Sequence, residues 1–172
     1  HLPKATVREI ERSFGRWEFP VEEDPAFIVY GADAGGTHIY KVFRHAEHRE
    51  KRRTRADVHD SPGFATIGSN YEPAEDVLLT RQSWHRPFGE AVMLTYIAGQ
   101  YAANPDEGVG PPRDMVIVGP GIQDAFQVND LGMARLGSVY DATIVAGHGG
   151  IDLALGFAAQ FKREPDLGIV MP

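Results

Sequence analysis

Cysteine is absent from the 172 residues, which removes disulfides, thiolate nucleophiles and cysteine-ligated zinc from consideration and suits a reducing, cytoplasmic setting. No apolar run approaches the roughly 20 residues of a membrane-spanning helix, and no stretch reads as a signal peptide, so none is expected. A membrane partner is therefore not expected. Positive charge is in short supply: 17 Lys and Arg stand against 24 Asp and Glu, for a net charge of -7. The molecule as a whole has no electrostatic reason to seek nucleic acid. Internal repeats and low-complexity linkers are also missing. Residue 1 is His rather than Met, which points to a processed, trimmed or partial chain.

What is present suits a folded protein. Hydrophobic residues make up 42% and charged residues 24%, a balance that argues against wholesale disorder. The length is that of one ordinary domain, so 1–172 is expected to form a single compact unit. Val7, Ile10, Phe14 and Trp17 fall at helical spacing, and Pro20 ends that helix. Phe27 to Tyr30 and His38 to Phe43 are β-rich runs joined by a glycine-rich loop, which predicts a hairpin. Residues Arg44 to Arg55 are dense in charge without an apolar face and read as a solvated loop or helix extension.

Phe64 to Ile67 reads as a strand that passes through a turn at Gly68 and Ser69 into a helix, with Pro73 in its first turn. The stripe Phe88, Ala91, Leu94 or Thr95, Ala98 and Tyr101 marks the clearest helix of the chain. "DEGVGPP" breaks it, and "DMVIVGP" reads as a buried strand. Val128 to Tyr140 has helical character weakened by Gly132 and Gly137. "ATIVAGHGGIDLALGFAAQF" reads as strand, glycine loop and helix. Local strand pairs mixed with helices favour an α+β fold over a wound βαβ sheet.

The order of these motifs resembles the second half of a proteasome β-type subunit, within the N-terminal-nucleophile hydrolase superfamily. The residues that carry the resemblance are the strand pair "FIVYGADAGGTHIYKV", the run "GFATIGSNYEPAEDVL", the helix "FGEAVMLTYIAGQYA" and "GVGPPRDMVIV". It spans roughly Pro3 to Val118, leaving 119–172 unassigned. It implies an αββα layered sandwich lacking its N-terminal strands, a peptide or amide substrate, no cofactor, and assembly as a homo-oligomer or with a partner chain. Ser69 matches the family's Gly-Ser turn, where the serine supports the nucleophile's surroundings, and Asn70 replaces the usual second glycine. A left-handed backbone tolerates that exchange. Asp106 matches, loosely, an Asp that assists the terminal amine.

Each of these has a plainer reading beside it. Ser69 or Asn70 can accept hydrogen bonds from the first-turn N–H groups of a helix, and Gly108 and Gly110 suit a helix-ending turn. The nucleophile itself is the larger problem, because these enzymes attack with the side chain of a Thr, Ser or Cys at position one, using its own amine as base. Position one here is His, so the resemblance implies that the nucleophile is not in this chain. Thr143 echoes a mature start but is internal.

Two further constellations stand apart from the resemblance. Gly147, His148, Gly149 and Gly150 form a glycine loop ahead of Asp152, a candidate for binding a small anionic ligand, although Asp152 would add negative charge there. His38, His45, His48 and His59 lie near Glu47, Asp57 and Asp60, with His45 and His48 at an i, i+3 helical spacing. Solvent exposure accounts for this run, and no metal is assigned. The basic cluster Arg49 to Arg55 has no interleaved aromatics to stack bases, which favours a salt-bridged surface or an oligomer contact over nucleic acid. The leading function is a proteasome-like amidohydrolase or peptidase subunit. Its rivals are a non-catalytic subunit of a ring-like assembly and an anionic-ligand binder.

Overall fold

In the computed structural model, residues 4–16, 26–33, 36–47, 51–60, 63–68, 70–81, 85–103, 109–112, 114–118, 125–147 and 150–161 are described. They form a mixed α+β protein that divides into two compact units, His1–Gly68 and Ser69–Pro172.

The first unit holds helix α1 (Lys4–Phe14) and strands β1 (Ala26–Asp33), β2 (Gly36–Glu47) and β3 (Lys51–Val58). The strands form one antiparallel sheet in the order β1-β2-β3. The expected hairpin is present, with Phe27 opposite Val42 and Tyr30 opposite Ile39. Alternation along the strands sends Tyr40, Val42 and Ala56 to one face, where Val7, Ile10 and Phe14 of α1 cover them. Phe14 and Phe27 meet there as tilted rings 5.1 Å apart. From α1, Glu11 Oε1 accepts the N–H of Ala56 at 3.2 Å, which satisfies a backbone donor on the edge strand β3 and blunts that edge.

The described parts of the charged run, 44–47 and 51–55, are strand, not loop or helix: Arg44 pairs with Thr54 and Glu47 with Lys51. Pairing with β2 and the contacts of Ala56 with α1 hold β3, and the charged sequence around them carries no alternation that announces a strand. By contrast, Phe64–Ile67 carries no strand pairing among the described residues; Phe64 is buried while its backbone runs irregularly.

The second unit is mainly helical, with α2 (Tyr71–Thr80), α3 (Phe88–Ala102), α4 (Asp130–Tyr140) and α5 (Gly150–Ala158). Helix α3 is its centre and packs against α2, α4 and α5. Leu94 and Ala98 are buried as the stripe predicts. Val92, Met93, Tyr96 and Ile97 are buried as well, while Tyr101 is 44% exposed. A helix with neighbours on several sides loses its single apolar stripe. Where α3 meets α5 the backbones come so close that a Cβ on Gly89 would collide with the Ala158 carbonyl.

Strands β4 (Val116–Val118) and β5 (Ala125–Gln127) make a short antiparallel pair. Burial of the strand in "DMVIVGP" does not hold at Val116, which is 58% exposed. Asn129 caps α4 by accepting the Gly132 N–H at 2.9 Å. The strand expected at "ATIVAG" is a π-helical turn, Asp141–Val145, that continues α4. The Thr143 hydroxyl takes the Val139 carbonyl at 2.6 Å, the acceptor that the regular ladder would give to the Thr143 N–H. At the end of the turn the ladder spans five residues, from Ala146 N–H to Asp141 O. Among the described residues, no helix is long and apolar enough to cross a membrane.

Candidate functional site

The turn into α2 is the part of the family-like motif with described geometry. Gly68 has φ 105° and Asn70 has φ 53°, ψ 38°, and Asn70 is the only non-glycine residue with positive φ among those described. Ser69, between them, lies outside the described residues. An L-residue in the left-handed region is disfavoured by contact of its Cβ with the following carbonyl, a cost that Asn bears more readily than other side chains.

The expected capping role of Asn70 is not what the side chain does. It makes no hydrogen bond to the first turn of α2; instead its Nδ2 donates to the Ala102 carbonyl at 2.9 Å. Ala102 ends α3, and carbonyls at a helix end lack partners within the helix. The bond ties the start of α2 to the end of α3, so the two helices run antiparallel. At the opposite end Arg86 does the matching work, donating through Nε to the Arg81 carbonyl at 3.0 Å and through Nη1 to Glu90 at 3.0 Å. One cation thereby caps the end of α2 and pairs with the first turn of α3.

Beside this helix pair lies an open groove of about 340 Å³, lined by Pro73, Asp76, Val77, Thr80 and Arg81 of the α2 segment, with Tyr101 of α3 and Ile151 of α5. Arg81 Nη1 donates to Asp152 Oδ1 at 2.7 Å. Asp152, the carboxylate that follows the glycine loop, thus faces a cation of the α2 segment while staying 74% exposed. Gly147 and Gly150 adopt left-handed conformations, φ 71° and 68°; His148 and Gly149 lie outside the described residues, as do Asp106 and Gly108. Thr143 is 1% exposed and its hydroxyl is committed to Val139, so it has no path to a substrate.

The histidine cluster resolves differently from its sequence spacing. His45 belongs to β2, which removes the helical i, i+3 relation to His48; His48 itself is outside the described residues. His38 stands across the extended β2–β3 ladder from Asp60, with Nδ1 2.8 Å from Oδ2. An ionised carboxylate only accepts, so Nδ1 is the donor. Asp60 Oδ1 also accepts the Ile39 N–H at 2.9 Å. Burial pushes the Asp60 carboxyl up, but the His38 hydrogen bond and charge and the Ile39 N–H outweigh it and hold the group below its ordinary value. Cross-strand position, invisible before β3 is known, is what brings the pair together. Among the described residues, no three His, Asp or Glu groups converge as metal ligands.

Sequence reading also missed a tyrosine cluster in the second unit. Gln100 Nε2 donates to the Tyr96 hydroxyl at 2.8 Å, and the rings of Tyr96 and Tyr140 meet edge-on at 6.1 Å. Burial, with Tyr101, Asp141 and Tyr96 nearby, pushes the Tyr140 phenol up. The i, i+4 spacing of Tyr96 and Gln100 on α3 was the available signal. Set against family models, curated proteins and solved structures, the chain matches none at a significant level.

Proposed function

We propose that this chain is a proteasome-like amide-hydrolase subunit of the layered αββα kind, in which the Gly68–Asn70 turn supports an attacking residue carried on another segment or chain. The observation that carries the reading is Asn70 at φ 53°, ψ 38°: where the family pattern uses glycine, the backbone has the conformation that glycine serves. Two further features support it. The element order is a strand sheet, an antiparallel helix pair and then a strand, as the resemblance implies. The sheet face turned away from α1 carries Ile28 and Tyr30, 37% and 55% exposed, and a second sheet layer would cover such a face.

In this reading Ser69 supports the surroundings of the nucleophile and Asp106 assists its terminal amine, and neither attacks the amide. The test is to isolate the protein from its native source and treat it with a peptide vinyl sulfone, then map labelled residues by intact mass and N-terminal sequencing. The expected result is a label on a Thr, Ser or Cys at the N-terminus of an associated polypeptide. An assembly that takes no label overturns the hydrolase reading in favour of a non-catalytic subunit.

A further inference from the structure

Charge in this chain is divided between two places. The four residue pairs from Arg44↔Thr54 to Glu47↔Lys51 lie beyond the last pairing of β1, Ala26↔Phe43, so they belong to β2 and β3 alone. With Arg55, this two-stranded ribbon contains five Lys and Arg, namely Arg44, Lys51, Arg52, Arg53 and Arg55, against Glu47. It is therefore net +4 in a chain that is -7, and the remaining residues carry -11. In the second unit, α2 is wholly acidic in its charged residues: Glu72, Glu75 and Asp76, with no Lys or Arg. Glu72 and Asp76 share one face at i, i+4, and Asp76 lines the open groove.

We propose that this groove is the docking site for the basic β2–β3 ribbon of a second copy of the chain. Pro73, Val77 and Ile151 supply an apolar wall for the methylene stem of an arginine or lysine, and Asp76 supplies the counter-charge for its head. The Tyr101 ring, 44% exposed at the same groove, offers a face for a guanidinium. Arg81, the cation at the groove's end, does not repel the incoming charge at full strength because Asp152 is bound to it at 2.7 Å. A second copy is favoured over nucleic acid for two reasons. The -11 outside the ribbon repels a polyanion and attracts another ribbon, and residues 44–55 include no aromatic to stack on a base. Ribbon and groove are different patches, so the contact is heterologous: each copy in a chain of contacts still offers one of each. This inference does not depend on the hydrolase reading.

The test is sedimentation velocity on the full chain in about 20 mM and about 500 mM salt, conditions that shorten the Debye length from about 20 Å to about 4 Å. Wild type is expected to sediment faster than an 18.9 kDa monomer at low salt and to dissociate at high salt. The ribbon variant R52E/R53E and the groove variant Asp76→Ala are each expected to associate at least tenfold more weakly. Mixed in equal amounts, they are expected to form a one-to-one dimer, since the intact ribbon of one meets the intact groove of the other. That dimer also shows that both variants are folded. A wild type that stays monomeric at low salt, variants that associate like wild type, or a mixture that stays monomeric each overturns the proposal. A duplex oligonucleotide that binds a monomeric wild type and is released by R52E/R53E would assign the ribbon to nucleic acid instead.

Discussion

Among the described residues, 1–68 buries four apolar side chains almost completely, Tyr40, Val42, Ala56 and Phe64, whereas 69–172 buries fourteen, with Met93, Leu94, Ile97, Leu136, Ala154 and Ala158 at 0% exposure. The first unit is a sheet with one helix on one face and depends on its backbone ladder and half-buried rings. The second surrounds a helix. Burial of apolar area stabilises in proportion to what is removed from water, so the same chemical change should weigh differently in the two places.

Isoleucine offers the cleanest contrast and the largest expected effect. Ile97→Ala empties a fully buried site and is expected to cost about 4 kcal/mol, within the range for such truncations. Ile10→Ala, on the half-buried face of α1, is expected to cost about 1.5 kcal/mol, because that side chain is only partly removed from water. Urea denaturation of both variants, with amide exchange reporting on each unit separately, measures the difference. Equal costs would mean that the sheet unit hides more of Ile10 in solution than its structure shows, and the contrast would fail.

Asn70 tests the second unit at its joint rather than its core. Asn70→Ala loses the bond to Ala102 and places a Cβ-bearing residue with no local polar compensation at φ 53°; the expected cost is about 2 to 3 kcal/mol. Asn70→Gly loses the same bond but relieves the backbone, for about 1 kcal/mol. If the two cost the same, the left-handed conformation is not what this position demands, and the observation behind the proposed function loses its force.

How much of this could be read in advance follows from which interactions are local. Helices α2, α3 and α4 and the β1–β2 hairpin were legible because spacing, Pro73 and the glycine-rich loop act over a few residues. The left-handed tolerance of Asn70 was legible for the same reason. Strand β3 was not, because Lys51–Val58 owes its state to pairing with β2 and to Glu11 from α1, partners at long sequence separation. Thr143 illustrates the opposite error: "ATIVAG" is β-branched and apolar, yet a hydroxyl that bonds back to Val139 holds it in a helical turn. His38 and Asp60 sit 22 positions apart, and only the strand register makes them neighbours. The second half of the proposed site, Ser69 and Asp106, lies outside the described residues.

The electrostatic contributions are smaller, and they sharpen the contrast from the side of pH. Asp60 is held below its ordinary value of 3.8 in the fold. Its contribution is therefore present above that value and fades as pH falls through the lower folded value. The first unit is expected to lose stability on acidification below about pH 4, and Asp60→Asn is expected to flatten that acid limb at a cost near neutrality of about 1 kcal/mol or less. Amide exchange in β2 and β3 between pH 7 and pH 3 reads both. An unchanged acid limb in Asp60→Asn would shift the explanation to other carboxylates.

The smallest expected effect is at Arg81 and Asp152, and its smallness is informative. Their bond is short, 2.7 Å, but Asp152 is 74% exposed, so water already solvates the carboxylate and the pairing must repay the ordering of a long arginine. Arg81→Ala and Asp152→Ala are each expected to cost about 0.5 kcal/mol, with a double-mutant coupling near zero. Raising the salt should shrink even that, because exposed pairs are screened. A coupling above about 1 kcal/mol would exceed what an exposed pair supplies. It would mean that the second unit leans on polar bridges between α2 and α5 as well as on its core, which would narrow the distance between two units now separated by how each keeps water out.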